Sequence, residues 1–482
     1  MSVPPALLHL AIPPGSLRRA RRHPRLAALS GQRSAVSRPA LTVEDTAGRA
    51  FAAAGWLCLG VADAATQRHE TLPVAGLPLK DAPPLDDSRT ILAEGQAEIT
   101  GRLLADGLEL RLVHQRLTRG DETADCGEIL LQGPADAAIA LALALADDLP
   151  LAWSGAPPLI SAVAALGIVE PPPLRAGPIP FDLPGDADTL AMFCAIVRHC
   201  LLQFDGNMLP VLRNRDIEGV HQMRVALRRL RSALSLFAPA LPAALTDPLI
   251  AELRWLNGPL GRKRDIDVFL AETLVPLSAK LPDPKGLRHL ATVLEDRREA
   301  AQVALDAALR SPRCLRLRLG FEDLLLKLPQ AVTDSWDTAL REAATQPARR
   351  FAAALLQRRA RKVRKLGKRH DELDAESLHV LRIQAKKLRY AVEFFRPLFG
   401  RKSVRRFHGA LAQLQDCLGA LNDAAVGNML MRDVLAAPAG DPAAAAIAGW
   451  FIGRQEMQLA HLGDAWNIYA KTAPFWKDAL ED

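Results

Sequence analysis

The sequence predicts an α+β region followed by an all-α region, and three observations carry that division. Strand-like alternation and turn signals occur only before about residue 166, and a proline-rich stretch follows them. From there a helical period runs onward, and it contains a segment that occurs twice. His221–Phe237 reads HQMRVALRRLRSALSLF and His379–Phe395 reads HVLRIQAKKLRYAVEFF. A shift of 158 superposes the two without a gap. The same shift aligns Leu253–Val268 with Leu411–Val426, keeping Leu256/Leu414, Leu260/Leu418, Gly261/Gly419 and Asp265/Asp423 in register. A repeat of this length marks a duplicated structural unit.

In residues 1–166, Ser16–Leu29 is helix-like and basic, with Pro24 interrupting it. Gln96–Leu104, the turn Ala105–Gly107 and Leu108–Leu117 form a hairpin in which Leu108, Leu110 and Leu112 alternate with Glu109, Arg111 and Val113. Cys126–Gln132 reads as a further strand and Pro134–Asp148 as a helix. Residues 167–185, with six prolines, read as a stiff linker. In residues 186–482, Asp186 or Asp188 caps a helix through Leu202. Breaks are expected near 204–210, 238–247, 281–285, 311–312 and 437–442.

Each repeat copy carries two stripes. Val220, Met223, Leu227, Leu230, Leu234 and Phe237 recur at three and four residues, as do Leu378, Leu381, Ala385, Leu388, Val392 and Phe395, and these are core-facing sides. One position along lie His221, Arg224, Arg228 and Arg231, and in the second copy His379, Arg382, Lys386 and Arg389. At about 100° per residue the basic stripe sits at the flank of the packed face. A merely solvated face usually mixes signs, because like charges four residues apart cost a few tenths of a kcal/mol each. From His221 through Thr246 there is no acid. The stripes therefore point to a polyanionic ligand.

Charge is unevenly shared. The chain carries +7 overall, but the first 185 residues hold 16 Lys+Arg against 20 Asp+Glu, leaving 45 against 34 for the remainder. Only the helical region is suited to an anion. Its most basic window, Arg349–Arg369, has ten Lys/Arg and no acid, and Arg358, Lys362, Lys365 and Arg369 share one helical face. An αα-hairpin would carry those charges toward His379 and Arg382. Arg401, Lys402, Arg405 and Arg406 form a further cluster, equally readable as a plain basic surface.

H-x-x-R-x-x-x-[RK]-[RK]-L-R, present twice and followed by LQDCLGALNDAAV (Leu414–Val426), resembles the CHAD family of α-helical domains. The resemblance implies two pseudo-symmetric four-helix bundles over residues 186–482, with basic residues between them that bind inorganic polyphosphate. It assigns that role to the eight stripe residues, and the Arg358 face is added to them. Residues 1–166 resemble in order and spacing a degenerate CYTH-like domain, a triphosphate-processing β-rich fold. An unrelated α+β domain is the other reading. That family opens with E-x-E-x-K, and the matching positions here hold Pro5, Leu7 and His9. Of its later acids only Glu128 remains, with Leu130 and Gln132 at the alternate positions, and no Lys stands in Leu151–Leu166. Hydrolysis of triphosphate needs clustered carboxylates to hold metal ions, so no triphosphatase activity is expected.

Arginine's planar fork and lysine's mobile charge suit a row of phosphates. Single-strand nucleic-acid binders usually add stacking aromatics, and Tyr390 is the one aromatic in the middle of a His helix. His221 and His379 lack an HxxxH partner and lie beside arginines, which disfavours a metal; they read as phosphate donors. Asp265, Asp267 and Asp423 stand singly and read as partners of basic side chains or as caps. No GxxxxGK[ST] loop and no nucleophile–base pair occurs. The expectation is a non-catalytic polyphosphate binder without cofactor or metal, cytoplasmic and associated with polyphosphate granules. The alternatives are a CYTH-type triphosphatase and a nucleic-acid-binding helical protein. Six scattered cysteines without paired spacing suggest reduced thiols, the start lacks a secretory signal, and the apolar run Ala137–Ala146 is too short to span a bilayer.

Overall fold

The computed structural model describes residues 6–480 except 29–34, 48, 55, 64–65, 74–81, 84, 86–88, 105–106, 171–172, 176–186, 282–284, 336, 370–371 and 436–441. For residues 6, 27–28, 54, 73, 285, 375, 420–435 and 442 it describes the backbone alone. Pro5, Asp186, most of the proline-rich stretch, the break expected at 437–442 and the side chain of Asp423 thus lie outside the described residues.

The first region is an antiparallel sheet with helices on both faces. Its strands are β1 (Ala6–Ile12), β2 (Ala35–Ser37), β3 (Ala40–Thr46), β4 (Trp56–Ala62), β5 (Gln67–Pro73), β6 (Arg89–Leu103), β7 (Glu109–Arg119), β8 (Glu122–Gly133) and β9 (Ala152–Trp153). They lie in the order β5-β4-β3-β6-β7-β8-β1-β9, with β2 also paired to β6. The expected hairpin is β6–β7, from Leu103↔Glu109 to Glu94↔Thr118, and the expected strand at 126–132 is the second half of β8.

Five helices belong to this region: α1 (Leu17–Arg21), α2 (Pro24–Ala28), α3 (Ala50–Ala54), α4 (Ala135–Leu145) and α5 (Pro158–Ala165). Pleat alternation sends Leu110, Leu112, Ile129, Leu8 and Leu10 to one face, where Ala138, Ile139 and Ala142 of α4 cover them. The opposite face, with Leu41, Val43, Leu117 and Cys126, is covered by Leu159, Ile160 and Val163 of α5.

The second region is helical throughout its described length. Its elements are α6 (Thr189–Gly206), α7 (Met208–Asn214), α8 (Ile217–Phe237), α9 (Ala243–Phe269), α10 (Val275–Ser278), α11 (Lys285–Leu309), α12 (Pro312–Thr333), α13 (Thr338–Thr345), α14 (Ala348–Gly367), α15 (Ala375–Phe395), α16 (Arg401–Leu435), α17 (Pro442–Leu459) and α18 (Leu462–Lys471). Shifting α8 by 158 reproduces the bounds of α15, and the 3₁₀ turns after them, Ala238–Ala240 and Arg396–Leu398, correspond in the same way. Both His helices start on an aspartate 158 apart: Asp216 accepts from Gly219 N at 2.6 Å and Asp374 from Ser377 N at 2.8 Å. α8 packs on α6 and α9 as α15 packs on α14 and α16. Phe193, Phe237, Phe351 and Phe395 join the two halves in one core.

The regions dock through α12. Leu315 and Leu319, both fully buried, complete the apolar cluster of the sheet. Beside them Trp153 Nε1 donates to Asp205 at 2.8 Å, and Arg318 Nε reaches the same carboxylate at 3.0 Å.

Candidate anion-binding cleft

The apolar stripes of α8 and α15 are buried in the shared core, which fixes where the residues one position along must point. Five of the eight face a cleft of about 900 Å³ between the two helices. His221, Arg228, Arg382, Lys386 and Arg389 line it, so the structure brings both copies of the motif to one site. Arg224 stands beside it, its Nη1 3.3 Å from Asp265 Oδ1. Arg231 and His379 are exposed and lie outside the lining.

Arg358, Lys362, Lys365 and Arg369 are likewise exposed and outside the lining. The hairpin of α14 and α15 forms, but α14 uses Ala352, Leu356, Ala360 and Val363 to pack, and the helical period leaves its basic arc to solvent. Lys362 comes close to Lys387 instead, and Arg369 Nε pairs with Glu372 at 2.8 Å. Arg401, Lys402, Arg405 and Arg406 are exposed at the start of α16 and also outside the cleft.

Among the described residues cations outnumber acids at the cleft, with seven Lys/Arg against Glu218, Glu393 and Asp416. Lys386 shows the consequence. Burial, then Arg228, Arg382, Arg224 and Arg389, push its ammonium down to about 8, and these arginines come from both repeat copies. Burial lowers His221 as well, helped by Arg264, Arg228 and Arg224 against Glu218. Burial alone would raise Glu393, but a hydrogen bond from His408 and the charge of Arg389 outweigh it and hold the carboxylate below its ordinary range. Arg389 Nε donates to Glu393 at 3.0 Å and its Nη1 to Gln415 at 3.3 Å, which orients the fork.

Several wall residues lie outside the eight stripe positions. Arg229 is buried, donates to Gln203 Oε1 at 3.1 Å and lies over Phe394 at 5.7 Å, whereas its repeat mate Lys387 is exposed. Arg175 comes from the proline-rich stretch. Asn207 clamps the preceding residue, donating to Leu174 O at 2.9 Å and accepting from Leu174 N at 3.0 Å, and so sets Arg175 at the cleft 3.6 Å from Glu218. Arg396 and His408 complete the wall. Asp267 holds Lys263 at 2.6 Å and Arg298 at 2.8 Å, a buried structural cluster.

Among the described residues no group of three or more His, Cys, Asp or Glu side chains is placed to hold a metal ion. In the sheet region Leu7 is exposed, and His9 Nδ1 is paired with the buried Glu128, which occupies the one acid retained from the β8 pattern. All six cysteines are free thiols, five of them buried. No described helix is long and apolar enough to cross a membrane.

The CHAD domain model matches residues 195–432, a span that takes in both stripes and all of the cleft lining except Arg175 and Gln458. The crystal structure of the CHAD domain from the plant Ricinus communis aligns at 33% identity with a TM-score of 0.52, covering 63% of this chain and 98% of that one. The chain belongs to the CHAD family. Within this CHAD region the cleft lies where the duplicated helices meet, so each copy of the motif supplies one wall. PptA from Streptomyces chartreusis aligns more distantly, at 18% identity with a TM-score of 0.41, covering 59% of this chain and 99% of that one. No curated protein matches the chain.

Proposed function

We propose that this CHAD protein binds inorganic polyphosphate in the cleft without catalysing its turnover, and that such binding recruits it to polyphosphate granules. The observation that carries the reading is Lys386, an ammonium set among arginines of both repeat copies and titrating near 8 because it is buried and those arginines repel its charge. Such an arrangement opposes folding unless an anion completes it. Arginine forks and a lysine point charge together match a chain of tetrahedral phosphates. Tyr390, the one aromatic among the described residues lining the cleft, is buried and sits under the Arg228 guanidinium at 5.4 Å, so it offers no open face to a nucleobase. That favours an anion without bases.

The sheet region is read as a CYTH-like scaffold without the donor set for triphosphate chemistry. His9 holds the remaining acid, Glu128, and Leu7 stands where that family places a carboxylate. The test is calorimetric titration with long-chain polyphosphate, in competition with single-stranded RNA at matched salt. Arg382→Glu with Lys386→Glu abolishes binding if the cleft is the site. RNA displacing polyphosphate at equal phosphate concentration overturns the ligand assignment. Metal-dependent phosphate release from triphosphate by the wild-type chain overturns the non-catalytic part.

A further inference from the structure

The basic arc of α14 remains outside the cleft. Its exposed members Arg358, Arg361, Lys362 and Lys365 span about 10 Å of helix at 1.5 Å per residue. None of the four forms an ion pair among the described residues. Like-charge pairs stand at Arg358/Lys362, Arg358/Arg361 and Arg361/Lys365, three or four residues apart, where they repel. Lys387 of α15 extends the arc. Burial lowers its ammonium, and so do the charges of Arg359 and Lys362. At the seam between the helices the half-buried Arg359 has an Nε with no hydrogen-bond partner. The ridge is thus a single-sign surface held together by packing beneath it.

The ridge and the cleft share α15. Lys386 lines the cleft and Lys387, next in the chain, faces α14, so about 100° of helix surface separates the two sites. We infer that the α14–Lys387 ridge is a second anion-binding surface, along which a long polyphosphate chain continues after leaving the cleft. This rests on the cleft being a polyphosphate site and adds a preference for long chains. A convex helix face has no walls to hold one small anion, but a repeating flexible anion gains from each successive cation. No aromatic residue stands between Arg358 and Arg369, so the ridge has no stacking platform for bases.

The test uses the full chain and two probes, tripolyphosphate and long-chain polyphosphate, at fixed salt without divalent metal. The variant Arg358→Glu/Lys362→Glu/Lys365→Glu changes only exposed side chains, and its thermal midpoint should match the wild type. Its long-chain affinity should fall about tenfold or more, with a shallower salt dependence, because each lost phosphate contact removes close to one unit of slope. Tripolyphosphate affinity should stay within about twofold, because counterion release at the cleft is unchanged. A neutral variant, Arg358→Gln/Lys362→Gln/Lys365→Gln, should lie between. Unchanged long-chain affinity overturns the ridge, and so do equal losses for both probes, which mark only a general field. A larger loss for single-stranded RNA than for polyphosphate assigns it to nucleic acid and overturns it as well. Failure of the cleft looks different: the wild type then binds neither probe, or Arg382→Glu/Lys386→Glu keeps tripolyphosphate.

Discussion

Phe237 and Phe395, which occupy the same place in the two repeat copies, touch each other with ring centroids 5.5 Å apart. Equivalent residues in contact are what a local two-fold relation produces. It also explains why two stripes 158 residues apart in the chain share one cleft. Both rings are fully buried. Phe237→Ala and Phe395→Ala should each destabilise the helical region by about 3–5 kcal/mol in denaturant unfolding. The double variant should show a coupling of about 1 kcal/mol, as expected for an aromatic pair. Strict additivity would show that the rings do not act together.

Lys386 makes anion affinity pH-dependent on the alkaline side. In the free protein it keeps its proton only up to about 8, against an ordinary 10.5. A bound polyanion favours the charged form, so the bound value is higher. Below about 8 the lysine is charged in both states and contributes no slope. Above it, binding takes up a proton and affinity falls as pH rises, by at most about tenfold per unit. Titrations from neutral to alkaline pH at constant ionic strength measure this, and Lys386→Arg should flatten the profile.

His221 acts on the acid side. Burial and Arg264 lower it from 6.5, so it is largely neutral at pH 7 when the cleft is empty. A polyanion raises it, and affinity should therefore increase as pH falls through the histidine range until the free form is itself protonated. His221→Ala should lose that gain. His379→Ala, at an exposed position outside the lining, should leave the profile nearly unchanged. Equal effects of the two substitutions would mean that the copies contribute alike.

The apolar period of α8 and α15 was legible because every residue of both stripes is buried at a spacing only a helix satisfies. The flanking basic stripe followed from it by geometry. What a helical wheel could not supply was which flank each neighbour covers, so Arg358 and Lys362 looked like partners of Arg382 when Lys362 comes close to Lys387 and Arg358 is left exposed. Arg175 was illegible for a different reason. Its place depends on Asn207 gripping a proline-rich strand, a contact between side chain and backbone with no periodic trace. In the sheet, β6 and β7 announced themselves by alternation around a tight turn. β4, WLCLGVA, is apolar on both faces, and β5, QRHETLP, is a polar edge, so neither carries the two-residue period.

The repeated caps offer a test of the two-fold relation that does not touch the cleft. Asp216 and Asp374 each accept one backbone N–H at the start of a His helix. Replacing either by Ala should cost about 1 kcal/mol. The two losses should add, because they act at separate helix starts. Anion affinity measured below the unfolding range should stay unchanged.

The contact between the two regions combines a buried polar group with an apolar patch. Asp205 and Arg318 are both buried, and Trp153 from the sheet region closes the group by donating to the same carboxylate. Asp205→Ala leaves the Arg318 guanidinium with Glu322 as its remaining acid and should cost about 3 kcal/mol, since removing one partner of a buried pair strands the other. Trp153→Phe removes one hydrogen bond to a charged group and should cost about 1.5–3 kcal/mol. Residues 186–482 produced alone would also expose Leu315 and Leu319, now fully buried in the sheet's apolar cluster, at about 1.5–3 kcal/mol for each side chain. That fragment should melt below the full chain and self-associate in sizing chromatography. Leu315→Ser/Leu319→Ser within the fragment should restore a monomer, since it removes the apolar patch. A fragment that is monomeric and as stable as the full chain would show that the helical region does not depend on its docking to the sheet.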